Sequence, residues 1–330
     1  MNILAIPIGP ITTGSSRVRL YDLLRALSLV KGEEVHYDIV DPYVFDVPDP
    51  RMWSKYDVIY IQKVAAPHVV EFLSQVIIHA TKNIKIVYDI DDDIGSSPTP
   101  GQYEETVCML SDLILVDSPR RLKDMQEQFP NKNFKLLRGM IDFTKDPARK
   151  QQYDLSRPVQ RATTFGFSDI NIDSSLSHLK ATGELGIKTE IIINHIPGRE
   201  KYSKLCDTYT NWSLSQFISD LRRADMCVLC HSRDELGNRK GNHRLALAMS
   251  LGIPTITSKT EAFQKTLEEV GWPQLACETP EEIKAAVELI KNPLTRREIS
   301  DIFLEYANNN HSPQQCAEEF YKLILEEQND

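Results

Sequence analysis

The chain has 330 residues, of which 41% are hydrophobic and 26% charged, and its formal net charge is -9. That length exceeds one ordinary core and suits two domains of roughly 150 residues, with the composition of a globular protein in water. The acidic balance excludes wholesale nucleic-acid binding, because no broad basic excess is available to displace counterions, so any anion site must be local.

The opening stretch MNILAIPIGP is apolar, carries no basic flank and runs into Pro and Gly, as a first strand does and an export signal does not. No run approaches the roughly 20 apolar residues that span a bilayer, so a cytoplasmic location without a transmembrane segment is expected. The six cysteines lack framework spacing except Cys227 and Cys230, a CxxC within MCVLC. Strand alternation would point those two thiols to opposite faces, which favours reduced core cysteines over a metal or redox pair.

Strands are expected at Ile3–Ile8, Val35–Val40, Val58–Gln62, Lys85–Asp89, Leu113–Val116 and Lys135–Leu137, where apolar and β-branched residues cluster. Helices are expected at about Arg17 to Leu29 and near 67–81, 101–111 and 119–129. This alternation implies right-handed crossovers and a mostly parallel, Rossmann-like sheet, although no GxGxxG follows the first strand. The loop after that strand carries Gly14, Ser15 and Arg17 at a strand's carboxyl end, where open α/β sheets bind ligands. Ser15 or Ser16 could equally cap the following helix, and Arg17 and Arg19 could reach the crevice.

In IVYDIDDDI (86–94) an apolar strand runs into Asp89, Asp91, Asp92 and Asp93. Adjacent carboxylates raise one another's pKa unless something offsets them. The cluster suits a divalent cation, a base or acceptor for a sugar hydroxyl, or a solvated turn cap. Residues 144–160 are polar, contain two prolines and read as a linker. The alternation then restarts: strands at 162–169, 190–195 and 224–230, helices near 173–184, 214–223 and 260–270, a short strand Gln274–Cys277, and helices 280–291, 295–308 and 313–327. Trp212 and Tyr209 are candidates to stack on a base, with core packing the commoner role for Trp212.

The most distinctive stretch is 231–258, HSRDELGNRKGNHRLALAMSLGIPTITS, which reads as strand end, polar loop, helix, tight turn and strand. A helix starting near Asn242 leaves unpaired N–H groups and a partial positive charge, and Arg239, Lys240 and Arg244 could add charge-assisted bonds to phosphate oxygens. A polar βα connection without a ligand has the same general composition.

NWSLSQFISDLRRADMCVLC, KGNHRLALAMSLGIPTITS and the helical run from Thr279 resemble the C-terminal half of GT-B glycosyltransferases of the group 1, retaining type, with Ala248, Met249, Gly252 and Pro254 on the family pattern. The resemblance implies an α/β protein of two Rossmann-like domains facing across a cleft. It divides the chain into an acceptor domain at 1–150, a linker at 151–160, a donor domain at 161–311 and a C-terminal helix at 312–330 that crosses back to the first domain. The implied reaction is transfer of a sugar from a nucleotide-activated donor to the hydroxyl of a glycan, lipid-linked or small-molecule acceptor, in surface polysaccharide or glycan synthesis, with no cofactor and no metal required. The family's paired donor-loop glutamates correspond here to Leu247 and Arg239, so Asp234 or Glu235 would substitute for the first. The family's Arg and Lys near the first strand of the donor domain are absent from FGFSDINIDSSLSHLK. The donor phosphates accordingly fall to Arg239, Lys240, Asn242 and Arg244, with Asp234, Glu235 and Ser258 as further donor contacts and Asp91 and Asp92 as catalytic candidates. An inverting mechanism stays open, as do a catalytically silent nucleotide-binding module and a nucleotide-sugar epimerase of the same fold.

Overall fold

The computed structural model describes residues 1–41, 50–91, 101–141, 158–194 and 198–326. Two compact units divide the chain. The first comprises Met1–Thr144, Arg239–Gly241 and Ser312–Asp330, and the second Lys145–Asn238 and Asn242–His311.

In the first unit the strands are β1 (Asn2–Ile6), β2 (His36–Ile39), β3 (Val58–Gln62), β4 (Lys85–Ile90), β5 (Leu113–Val116) and β6 (Phe134–Leu136). They form one parallel sheet in the order β2-β1-β3-β4-β5-β6. The inner strands VIYIQ and LILV are buried at every position, as a sheet covered on both faces requires, whereas the edge strand HYDI alternates between exposed and half-buried. The first helical stretch is segmented: α1 (Gly14–Ser16), a π-helical run Arg17–Tyr21, then α2 (Asp22–Lys31). The unit continues with α3 (Pro67–His79), α4 (Gly101–Leu110) and α5 (Pro119–Gln128). Ser118 caps α5, its Oγ accepting from the Arg121 N–H at 3.2 Å, while Pro119 fills a first-turn position where a missing N–H costs nothing.

The second unit holds α6 (Asp169–Asp173), α7 (Leu176–Glu184), α8 (Phe217–Leu221), α9 (Glu235–Asn238), α10 (His243–Ser250), α11 (Glu261–Glu269), α12 (Pro280–Lys291) and α13 (Pro293–His311). Its strands are β7 (Arg161–Gly166), β8 (Lys188–Ile193), β9 (Thr208–Asn211), β10 (Met226–Leu229) and β11 (Thr255–Thr257), parallel in the order β11-β10-β7-β8-β9. The edge strand β9, TYTN, has no apolar run and was not expected from the sequence. Conversely, the expected strand at Gln274–Cys277 is a 3-10 turn (Pro273–Leu275), followed by a single bridge from Ala276 to Thr257. Both Cys227 and Cys230 are buried as free thiols, and burial pushes Cys230 up to about 12.

The last helix, α14 (Pro313–Leu325), belongs to the first unit and packs along α2. Phe320 meets the Tyr60 ring at 4.9 Å, and Lys85 Nζ donates to the carbonyls of Ile324 at 2.9 Å and Glu326 at 2.6 Å. A cation there satisfies orphan carbonyls and complements the negative end of the helix.

Candidate functional site

Open α/β sheets bind ligands at the carboxyl edge where strand order reverses. In the second unit the chain builds β7, β8 and β9 in one direction and returns to lay β10 on the other side of β7. Arg244, in the first turn of α10, reaches this reversal point, with Nη2 donating to the Cys230 carbonyl at 2.7 Å and Nη1 to the Phe165 carbonyl at 3.2 Å. Its guanidinium is therefore aimed by the two strands that define the crevice. Burial pulls its pKa down to about 10. Among the described residues no carboxylate pairs with Arg244, and two carbonyls use only part of a five-donor fork. The α10 N-cap, Asn242, makes no side-chain cap; its Nδ2 donates instead to Thr266 Oγ1 at 2.8 Å. Charge and helix start thus favour an anion at one place.

The other donor-side candidates are occupied differently. Asp234 Oδ1 accepts from Ser232 Oγ at 2.7 Å and from the Gly237 N–H at 2.8 Å, so it caps the α9 turn. Glu235 is exposed in that turn. Ser258 is buried, and its Oγ accepts from the His231 N–H at 3.0 Å, which fastens the β11 end to the β10 end. Arg239 clusters with the first unit, where its Nε donates to Asp124 at 2.8 Å. Asp234 and Ser258 thus have main-chain partners, because short polar side chains in tight turns meet nearby main-chain groups, and Arg239 has a distant carboxylate. Lys240 is half-buried beside Arg239 in sequence. Sequence reading passed over His231, which follows β10, is buried and stacks on Phe263 at 4.1 Å; its place after a strand at the reversal point was the available signal. Trp212 is partly buried and meets the exposed Phe167 edge-on at 4.7 Å.

In the first unit the strand order reverses between β1 and β3. Gly14 and Ser15 lie in the first helical turn after β1, and neither Ser15 nor Ser16 caps it. Ser16 is buried instead, accepting from the Gly9 N–H at 3.2 Å and donating to Gln62 Oε1 at 3.1 Å. Arg17 and Arg19 are both buried. Arg19 Nε donates to Asp89 Oδ1 at 2.7 Å, and Tyr60 Oη lies 2.6 Å from Asp89 Oδ2. Asp89, the first carboxylate of the 89–93 cluster, is fully buried and not in a solvated turn; burial pushes its carboxyl up to about 6, with Arg19 opposing.

Asp91 differs from Asp89. Burial acts to raise its carboxyl, yet Lys63, Arg19 and Arg121 outweigh that and hold it below the ordinary carboxylate value. Lys63 Nζ lies 3.4 Å from Asp91 Oδ1, and Lys63 has φ +63°, a left-handed conformation costly for a side-chain-bearing residue. Asp92 and Asp93 lie outside the described residues, as does most of the 144–160 linker. Among the described residues no group of three or more His, Cys, Asp or Glu side chains is arranged to hold a metal ion. No helix among them is long and apolar enough to cross a membrane.

No protein-family model matches the sequence, and no curated protein does. Solved structures do match in fold. HepE from Anabaena in complex with UDP aligns at TM-score 0.70 with 12% identity, over 98% of this chain and 99% of that one. The E. coli trehalose-6-phosphate synthase bound with UDP-2-fluoro glucose aligns at 0.67 with 12% identity, over 99% and 100%. A putative UDP-N-acetylglucosamine 2-epimerase from Listeria monocytogenes aligns at 0.61 with 12% identity, over 98% and 95%. The fold of this chain is therefore GT-B, the two-Rossmann α/β fold of glycosyltransferases that bind nucleotide sugars.

Proposed function

We propose that the protein is a glycosyltransferase that moves a sugar from a nucleotide-activated donor to an acceptor hydroxyl, in glycan or surface-polysaccharide synthesis in the cytoplasm. The observation that carries this reading is Arg244, a partly buried arginine with no acidic partner among the described residues, held at the β7/β10 reversal point. A leaving nucleoside diphosphate gains negative charge as the glycosidic bond breaks, so a fixed guanidinium and a helix start stabilise the transition state more than the ground state. Lys240 and the backbone N–H groups after Asn242 would share that charge, and the reading needs no metal or other cofactor. Asp91, held ionised by its neighbours, would contact the sugar or the acceptor hydroxyl, with Asp92 as the second carboxylate. Gly14 and Arg17 would border the acceptor, which is a glycan, a lipid-linked sugar or a small molecule.

The epimerase of similar fold supports a second reading, which differs in needing no acceptor. Titration calorimetry with UDP, GDP, ADP, dTDP and CMP tests the donor site. One nucleotide should bind, and Arg244→Ala should weaken it by roughly 10-fold to 100-fold, the range for a lost charge-assisted contact. Equal affinity in the variant, or no binding of any nucleotide to the wild type, would overturn the assignment. Product analysis with the sugar form of the nucleotide that binds, with and without acceptors, separates transfer from epimerisation.

A further inference from the structure

Arg239, Lys240 and Gly241 immediately precede α10, yet they cluster with the first unit, while the residues on either side belong to the second. Three ties fix this tripeptide against α5 and its approach. The Arg239 guanidinium meets Asp124 at 2.8 Å, and the Arg239 carbonyl accepts from Ser118 Oγ at 2.6 Å. At Gly241 the third tie is steric: a Cβ there would lie 2.6 Å from Asp117 Oδ2 and 3.0 Å from the Asp117 carbonyl, so only glycine permits the approach. Ser118 also caps α5 through the same Oγ, so the tripeptide is bound to a helix start that is itself ordered.

We infer that Arg239 is a positioning residue: with Asp124 it forms a clasp that fixes the segment carrying Lys240. This builds on the nucleotide-sugar reading, since Lys240, so positioned, is one of the groups that would hold a donor phosphate. It assigns Arg239 a different role from that of a phosphate ligand. The pair is half-exposed, with side chains 31% and 20% accessible, so its value lies in geometry more than in global stability. Asp124 also pairs with Arg120 one turn earlier at 3.0 Å, which holds its carboxylate in place when Arg239 is absent.

The two roles predict opposite behaviour of Asp124. For a clasp, Arg239→Ala and Asp124→Ala each weaken nucleotide binding by about fivefold to tenfold, the double variant is no weaker than either, and the swap Arg239→Asp with Asp124→Arg restores most of the loss. For a direct ligand, Asp124→Ala frees the guanidinium and leaves affinity equal or tighter, which overturns the proposal. A nucleotide-independent arm keeps the test separate from the donor-site reading. In the ligand-free protein, Asp124→Ala should raise the rate of trypsin cleavage after Lys240 at least about fivefold over wild type, as opening of a tethered segment requires. An unchanged rate refutes the clasp even if nucleotide binds, and a raised rate supports it even if no nucleotide does.

Discussion

Arg19 and Arg244 occupy comparable places in their two units, each on the helical segment near a strand-order reversal; both donate to main-chain carbonyls, and Arg19 alone of the two pairs with a carboxylate among the described residues. Arg19 is buried with Nε donating to the Asp89 carboxylate and Nη1 to the Leu137 carbonyl, so its charge is neutralised inside the protein. Arg244 is held by two main-chain carbonyls, which orient a guanidinium without cancelling its charge. Carbonyl ligation leaves a cation available to a mobile anion, while carboxylate ligation consumes it in the fold. One arginine therefore belongs to the stability of its sheet, and the other keeps a charge that no described carboxylate cancels.

The largest expected effect breaks the internal pair. Asp89→Ala leaves Arg19 buried without its counter-charge and should cost about 3–5 kcal/mol in urea unfolding, whereas Arg19→Met with Asp89→Leu should recover most of that loss. Arg244→Met, measured in the same way without ligand, should change stability far less, because no buried carboxylate is orphaned. A comparable loss at Arg244 would erase the distinction between the two arginines.

A second, smaller effect concerns the turn that ends α10. Gly252 has φ +64°, and a Cβ there would lie 2.6 Å from Ser300 Oγ, which donates to the Gly252 carbonyl at 2.6 Å. Gly252→Ala should lower stability by about 1–3 kcal/mol through left-handed strain and that clash, with nucleotide affinity per folded molecule retained. Lost affinity in the folded variant would mean that the far end of α10 also sets Arg244.

The smallest effect contrasts a surface carboxylate with buried Asp89. Lys259 and the N–H groups of Glu278 and Thr279 hold exposed Glu282 down at about 2. The unfolded chain takes up a proton there first as pH falls, so the stabilisation is present above about 4.5 and lost as pH drops towards 2. Thermal melts of Glu282→Gln should show a flatter pH dependence across that window, with the two proteins converging at its acid end.

Much of the architecture was legible because central parallel strands must be apolar on both faces. VIYIQ over Val58–Gln62 and LILV over Leu113–Val116 stood out at their observed bounds, as did helix Pro280–Lys291. The edge strand TYTN was missed because half-exposed pairing leaves little apolar signal, and Gln274–Cys277 misled because a short buried apolar run serves a turn as well as a strand. The 239–244 loop could be read as basic, but its charges could not be sorted. Arg239 turns to Asp124, which lies 115 positions away, and Arg244 turns to the ends of two strands.

The sequence by itself determined the alternation of strands and helices, the start of α10 near Asn242 and the glycine that ends it, because those follow from local periodicity and backbone sterics. Tertiary structure alone decided which cations meet a carboxylate and which are held by main-chain carbonyls. That choice depends on residues distant in the chain, on burial and on main-chain carbonyls, and none of these leaves a mark at the arginine's own position.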